Sequence, residues 1–307
     1  MRGRVYHVVG GSGSAQSTTH VTTSTHTSDL MRTVLVTGAS TGIGRATAVY
    51  LAERGLRVCA GYRKREDGEA LSALSSKIVP VQLDVTDADQ VAAAARAVAE
   101  VSGGSLGGLV NNAGITMPGP LEGLPLDKIR QVFEINVFAA LAVTQACLPM
   151  LRRVPGRIVN ISSINGRIAT AFNAPYAATK FALEALSDGL RLELHRWNIR
   201  VSIIEPGAIQ SNIWDTSWRR AVNNFADLRT QAREHYAGVA EKLAERGPRM
   251  PQRAIPAERV AAVIHRALTA RRPKARYLVG RDAKLAAFLK WITPDRVADA
   301  VLLRRRR

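Results

Sequence analysis

Between residues 31 and 280, compact apolar runs alternate with segments of helical period. Val34 to Thr37, Arg57 to Tyr62, Ile78 to Leu83, Leu109 to Asn111, Arg157 to Ser162 and Ile199 to Glu205 read as strands. Helices are predicted over Gly42 to Arg54, Val91 to Val101, Asp127 to Leu151 and Pro175 to Trp197. The strand segments are apolar almost throughout, so both of their faces are covered, as in a parallel sheet packed between helices. The pattern predicts an α/β fold: a doubly wound parallel sheet flanked by helices, forming one main domain. Beyond Pro206 the pattern loosens to about Pro256, in a stretch carrying Trp214, Trp218, Phe225 and Tyr236. A helix near Glu258 to Leu268 and a short strand, Arg276 to Val279, follow. The loose stretch, about residues 208–255, is where a substrate lid is expected.

Both ends depart from this alternation. Residues 1–30 hold three of the six His, a Ser/Thr cluster from Gly11 to Ser28 and few large apolar side chains. They are expected to form a disordered leader, and fold reasoning starts at Met31. The leader's Gly10-Gly11-Ser12-Gly13 imitates a phosphate loop but neither follows a strand nor opens a helix. In residues 281–307, Leu285, Phe288, Leu289 and Ile292 fall at i, i+3, i+4 and i+7, with Lys284, Lys290 and Arg296 among them. This predicts a basic amphipathic helix. Peripheral docking on a membrane surface is one use for it; packing on its own domain or on a partner subunit is the plainer one.

Composition narrows the classes. A chain of 307 residues, 46% hydrophobic, can bury a full core without disulfide or metal staples. Cys59 and Cys147 are the only cysteines, each inside an apolar segment, which excludes a disulfide framework and any CxxC-type metal or redox site. No metal is expected, and a reducing, cytoplasmic compartment is. No stretch reaches the eighteen or so uncharged apolar residues of a spanning helix, and the N-terminus lacks a signal-peptide apolar core, so a soluble or peripheral protein is expected. The formal charge is +18, and residues 247–307 alone hold 16 Lys/Arg against 4 Asp/Glu. A basic tail can meet nucleic-acid phosphates or anionic lipid, but no nucleic-acid reading motif is recognisable and no such partner is expected.

Candidate chemistry begins where the first strand runs into Gly38-Ala39-Ser40-Thr41-Gly42-Ile43-Gly44 and then into a helix. Gly38 permits a tight turn, Gly42 lets backbone approach a pyrophosphate, and Gly44 lets helix and strand pack closely, while the helix N-terminus offers free N–H groups to the anion. Taken alone the loop is equally well a structural turn. The second strand ends Gly61-Tyr62-Arg63-Lys64-Arg65, with no carboxylate before Glu66. An Arg there accommodates a 2′-phosphate, so NADP(H) is expected over NAD(H), which stays the alternative. Asp84 is placed to meet an adenine amino group or, equally, to cap the helix that starts at Thr86 or Asp87.

Tyr176 and Lys180 stand one helical turn apart on one face. A Tyr hydroxyl, with an ordinary pKa of about 10, donates or accepts a proton poorly near neutrality. A neighbouring ammonium favours the phenolate, so the pair can make a general acid/base. The spacing gains weight from Ser162-Ser163 at the end of a preceding strand, the carboxyl edge where doubly wound sheets place their sites.

These residues carry a resemblance. Thr37 to Gly44, Asp84-Val85, Asn111-Asn112-Ala113-Gly114, Asn136, Ser163, Tyr176-Ala-Ala-Thr-Lys180 and Pro206-Gly207 are similar, in order and spacing, to the short-chain dehydrogenase/reductase family. The resemblance covers roughly residues 31–280 and implies a Rossmann-type domain carrying out hydride transfer. It implies Tyr176 as general acid/base and Lys180 as the group that holds the nicotinamide ribose and lowers the Tyr176 pKa. Ser163 would bond the substrate oxygen, and Asn136 would hold the water of a proton relay ending at Lys180. Gly38, Ser40, Thr41, Gly42, Ile43 and Gly44 would surround the pyrophosphate; Arg63, Asp84 and Val85 the adenosine. Asn111 to Gly114 would support the sheet and touch the adenosine ribose, and Pro206, Gly207, Ile209 and Ser211 would lie against the nicotinamide. Ser211 stands where the family commonly has Thr, and Gly107 or Gly108 where it often has an acid.

A softer similarity, from Phe181 to Leu194 and from Val201 to Gly207, points to the branch that handles retinoids, hydroxysteroids and 3-hydroxybutyrate. Together with the lid aromatics it suggests an apolar alcohol or ketone as the small-molecule substrate. A 3-oxoacyl thioester is the enzymatic alternative, and a non-catalytic dinucleotide sensor is the alternative of another class. Such a sensor need not keep Ser163, Tyr176 and Lys180 together. The resemblance also implies a homodimer or homotetramer.

Overall fold

The computed structural model describes residues 33–304 apart from 212, 229 and 247–253, so the leader expected at 1–30 lies outside the described residues. The chain runs β1 (Thr33–Val36), α1 (Gly42–Glu53), β2 (Arg57–Tyr62), α2 (Arg65–Ser72), β3 (Ile78–Gln82), α3 (Ala88–Val101) and β4 (Gly108–Asn111). It continues with α4 (Leu126–Phe133), a π-helical segment (Glu134–Phe138), α5 (Ala139–Leu151), β5 (Arg157–Ile161), a 3₁₀ turn (Ile164–Gly166) and α6 (Ala174–Glu193). Then come β6 (Arg200–Pro206), β7 (Ile209–Gln210), α7 (Ile213–Ala226), α8 (Thr230–Arg246), β8 (Ile255–Pro256), α9 (Ala257–Thr269), β9 (Arg276–Val279), α10 (Arg281–Ile292) and α11 (Asp295–Arg304).

Seven strands form one parallel sheet in the order β3-β2-β1-β4-β5-β6-β9. Alternation along each strand divides its apolar residues between two cores. Val34, Val36, Val58 and Ala60 face α1 and α9, where Leu51, Val260 and Ile264 meet them. Leu35, Cys59, Leu109 and Ile158 face α3 and α5, against Val91, Val98, Cys147 and Leu151. Strand order reverses between β1 and β4, so the loops leaving these neighbours diverge and open a crevice at the carboxyl edge.

Several elements differ from the sequence pattern. The helix expected over Asp127 to Leu151 is interrupted by the π turn, whose surplus residue shifts the face of the helix after it. This stretch, Leu126–Leu151, reaches the length and, with a mean hydropathy of 1.5, the composition of a spanning helix. It is folded into the domain, with Val143, Cys147, Met150 and Leu151 against the sheet. The loose stretch after Pro206 contains two helices, α7 and α8, whose sequences are mostly polar. The single basic helix expected at the C-terminus is two, α10 and α11, because Thr293 precedes Pro294 and takes an extended backbone.

Candidate active site

The crevice is lined first by the loop from β1 to α1. Gly38 and Gly42 have φ of +61° and +54°, which only glycine adopts without strain. A Cβ on Gly44 would lie 2.1 Å from the Gly38 carbonyl oxygen, so the helix can start this close only without a side chain. Thr41, the N-cap, makes no side-chain cap, and the first turn of α1 carries no acid, leaving the N-terminal N–H groups and their positive end for an anion. The loop is locked from β4: Asn112 Nδ2 donates to the carbonyls of Thr37 (2.9 Å) and Gly38 (3.0 Å), while Asn112 N and Ala113 N donate to Thr37 Oγ1. Ser40 and Thr41 stand at the loop's rim and Ile43 packs on the core beneath. This cradle fits a dinucleotide pyrophosphate.

At the end of β2, Arg63 is exposed, and its charge helps hold the Asp84 carboxyl below its ordinary pKa, after the hydrogen bond from the Thr86 N–H. Asp84 Oδ1 accepts from Thr86 N at 3.0 Å and from Thr86 Oγ1 at 2.7 Å. The cap of α3 falls instead to Asp87, which accepts from Asp89 N and Gln90 N. Arg65 opens α2 and pairs with Glu69 on its exposed face, one turn on. Val85 leans onto the core. A further cation was not singled out in the sequence: Arg220 of α7, whose pKa is lowered by burial and then by the charge of Arg63, donates to the Thr116 carbonyl.

The second group gathers around α6. Lys180, buried, donates to the Ile161 carbonyl at 2.8 Å, and its Nζ lies 5.5 Å from the centre of the Tyr176 ring. Ser163 caps the 3₁₀ turn, its Oγ accepting from Asn165 N at 3.1 Å. Burial pushes the Tyr176 hydroxyl up to about 12, against the pull of a hydrogen bond with Ser163. Burial also lowers Lys180 to about 8, against the pull of Glu184 one turn further on. The direction at Tyr176 is therefore opposite to the lowering expected from Lys180: desolvation of the phenolate outweighs the Ser163 hydrogen bond.

Asn136 sits on the π segment. Its Nδ2 donates to the Ile115 carbonyl (2.9 Å) and Thr179 Oγ1 (3.0 Å), and its Oδ1 accepts from Ile115 N (2.8 Å). Both amide protons are committed, so the side chain pins the β4 exit loop to α6. Gly114 makes the room: a Cβ there would stand 3.1 Å from Asn136 Oδ1 and 3.7 Å from Lys180 Nζ. Asn111 is buried and donates to Thr144 Oγ1 and Asn160 Oδ1, both at 2.9 Å. It supports the sheet from within.

The turn after β6 is held by groups the sequence did not single out. Arg167, just past the Ser163 turn, makes a two-pronged pair with the fully buried Glu205, Nε to Oε1 at 2.6 Å and Nη2 to Oε2 at 3.0 Å. Arg276 of β9 donates to Glu184 Oε2 at 2.9 Å and Asp188 Oδ2 at 2.6 Å. Asp282 of α10 accepts from Ala208 N, filling the space where Cβ atoms on Gly207 and Gly280 would stand. Ser211 stands against Gly42 across the crevice; the Ile209 side chain is buried in the core. The expected residues thus converge on one edge, and the only outward signal for Glu184 was its spacing of four from Lys180.

Helices α7 and α8 cover this edge. Thr116 Oγ1 and Ser217 Oγ are 2.7 Å apart, Asn224 Nδ2 donates to the Pro118 carbonyl at 2.7 Å, and Lys128 pairs with Asp227 at 2.8 Å. The rings of Phe225 and Tyr236 meet Phe172 edge-on, each at 5.9 Å. Phe172, four residues before Tyr176, holds a φ of +65° that a bulky side chain rarely adopts.

A glycine-cradled crevice at the switch point of a doubly wound sheet, beside a buried Tyr–Lys pair, defines a dinucleotide-dependent oxidoreductase. Residues 32–221 match the short chain dehydrogenase family, and the chain belongs to it. It is 36% identical over 280 residues to retinol dehydrogenase 5 of Homo sapiens, covering 88% of this chain and 87% of that protein. It is 32% identical over 278 residues to the NADPH-dependent 3-dehydrocapnine reductase of Ornithobacterium rhinotracheale, covering 88% and 96%. Among solved structures, a short chain dehydrogenase from Burkholderia cenocepacia in complex with NADP is similar at a TM-score of 0.68 and 29% identity, over 88% of this chain and 97% of that one. The protein is an NAD(P)-dependent oxidoreductase.

Proposed function

We propose that the chain interconverts a ketone or aldehyde and an alcohol on an apolar, lipid-like substrate, preferring NADP(H). The observation that carries this reading is the meeting of Ser163, Tyr176 and Lys180 beside Gly114, on the β4 exit loop that locks the glycine cradle. The nicotinamide, when bound, supplies or accepts the hydride. Ser163 and Tyr176 would both bond the carbonyl oxygen, and Tyr176 would deliver its proton as negative charge develops there. A hydroxyl held near 12 keeps its proton at neutral pH and can act as the acid in reduction. Lys180, charged below about 8, would hold the ribose hydroxyls and stabilise the phenolate left behind. Asn136, its amide committed to Ile115 and Thr179, would brace the loop behind Lys180 rather than hold a relay water through its side chain.

Arg63, whose charge is felt by Arg220 of the lid, supports the preference for a 2′-phosphate. The aromatic cluster of Phe172, Phe225 and Tyr236 supports an apolar pocket wall. Exposed Phe138 and Phe181, on adjoining outer faces at the π segment and α6, support a homo-oligomer, in keeping with a cytoplasmic enzyme.

The test is a titration with NADPH and NADH followed by nicotinamide fluorescence, repeated with Arg63→Ala, then a screen of apolar ketones and alcohols. Tighter NADPH binding that falls in the variant supports the reading. Equal binding of both cofactors overturns the Arg63 argument, and turnover confined to 3-oxoacyl thioesters overturns the substrate class.

A further inference from the structure

Six of the twelve large hydrophobic side chains exposed among the described residues lie within residues 285–297: Leu285, Phe288, Leu289, Trp291, Ile292 and Val297. Trp291 is the extreme, 83% exposed. On α10 this is a reversal of the usual amphipathic helix. Ala283 is its buried residue, and Ile292, nine positions on at about 100° per residue, points the opposite way, with Leu285, Phe288 and Leu289 beside it. The small side chain faces the domain and the large apolar ones face out. Packing on its own domain, the plainer expectation, is therefore not what this face does.

The position of α10 ties that face to the active site. The helix leaves the carboxyl end of β9, packs on the 3₁₀ turn after Ser163, and is fastened through Asp282 to the N–H of Ala208. Its outward stripe therefore lies on the catalytic edge of the sheet.

We propose that α10 and α11 form a docking surface for a bilayer carrying anionic headgroups, placing the active-site edge against the lipid. The stripe would enter the interfacial layer with Trp291 at headgroup depth. Lys284 and Arg281, exposed on the same helix, and Arg296 on the next would meet the phosphates. Asp282 is turned inward to Ala208, and Asp295 is neutralised by Lys290. Over residues 281–307 the sequence holds eight Lys/Arg against three Asp/Glu. That charge chooses the occupant: a second copy would oppose two like-charged faces, whereas an anionic surface complements one. The proposal goes beyond the reading of the reaction, since binding is measured without substrate or cofactor; a failed ketone screen leaves it standing, and failed docking leaves the chemistry standing.

The experiment is co-sedimentation of the full chain with phosphatidylcholine vesicles and with vesicles of equal parts phosphatidylcholine and phosphatidylglycerol, alongside Phe288→Asp/Ile292→Asp. Both substituted positions are exposed, and circular dichroism checks the fold. The wild type is expected to pellet with the mixed vesicles more than with phosphatidylcholine alone, and less at high salt. The double variant should lose about tenfold or more of that partition. A blue shift of the emission present in the wild type and missing in Trp291→Phe would place Trp291 at the interface. A wild type that stays in solution with both vesicles, or a double variant that pellets equally, overturns the proposal. So does a lipid-free sedimentation mass that halves in the double variant, which would assign the face to a second copy.

Discussion

The carboxylate of Asp282 accepts the main-chain N–H of Ala208 at 2.8 Å, so the first turn of the penultimate helix is fastened to the turn that follows Pro206-Gly207. Gly207 is glycine because this carboxylate occupies its Cβ position. Asp282→Ala leaves a partly buried N–H without an acceptor, worth about 1–3 kcal/mol. We expect the Kd for cofactor to rise about tenfold, with the melting temperature falling by only a few degrees. Asp282→Asn keeps an acceptor oxygen and should recover much of the binding. Unchanged cofactor affinity in Asp282→Ala would show that the turn holds itself.

Arg220 of the lid feels the charge of Arg63, and an anion that meets both would relieve the repulsion between them. Arg220→Ala should weaken NADPH binding by about tenfold and leave NADH nearly unchanged, as expected for one lost charge-assisted contact. Isothermal titration with both cofactors checks this. Equal weakening of the two would give Arg220 a role in holding the lid alone.

Tyr176→Phe removes one hydroxyl from a site whose other groups stay in place. Turnover should fall by about 10²- to 10⁴-fold while NADPH still binds and the fold stays intact. A variant that retains a tenth of wild-type turnover would move the proton source elsewhere.

Glu184 counters the burial that brings Lys180 down to about 8. Glu184 itself faces Arg276 from β9, Glu205 from β6 and Ser162 from the end of β5, and burial raises its own pKa. Carbonyl reduction should decline as pH rises through about 8, where Lys180 loses its proton. In Glu184→Gln the decline should begin at lower pH. Because the folded pKa of Lys180 lies below its ordinary 10.5, the unfolded chain holds the extra proton between these values, and this group's contribution to stability improves as pH rises from about 8 to 10.5. A pH–rate profile that is superimposable in wild type and Glu184→Gln contradicts the coupling.

Much of this was legible in the sequence, because strands buried on both faces announce themselves as apolar runs and because glycines at a strand-to-helix turn have a mechanical purpose. Tyr176 and Lys180 were readable from a spacing of one turn. Helices α7 and α8 were not, since segments rich in Arg, Asn and Thr show little apolar period while they lie across a crevice. Asp282 and Ala208 are 74 residues apart, and Arg167 and Glu205 are 38 apart; only the packing of β6 against its neighbours brings such pairs together. The direction of the Tyr176 shift was misread for the same reason: desolvation is a property of everything around the ring, and the sequence shows only the neighbour on its own helix.

The π turn at Glu134–Phe138 has a longer reach than the five residues it contains. A turn with one surplus residue rotates everything after it, so α5 continues out of phase with α4. Val143, Cys147 and Leu151 meet the sheet because of that offset, and Asn136 meets Ile115 and Thr179 from inside it. Removing a single residue there would heal the helix and at the same time turn its core face aside. The surplus residue is thus under two masters, the packing of the domain and the placement of one amide, and neither can release it alone.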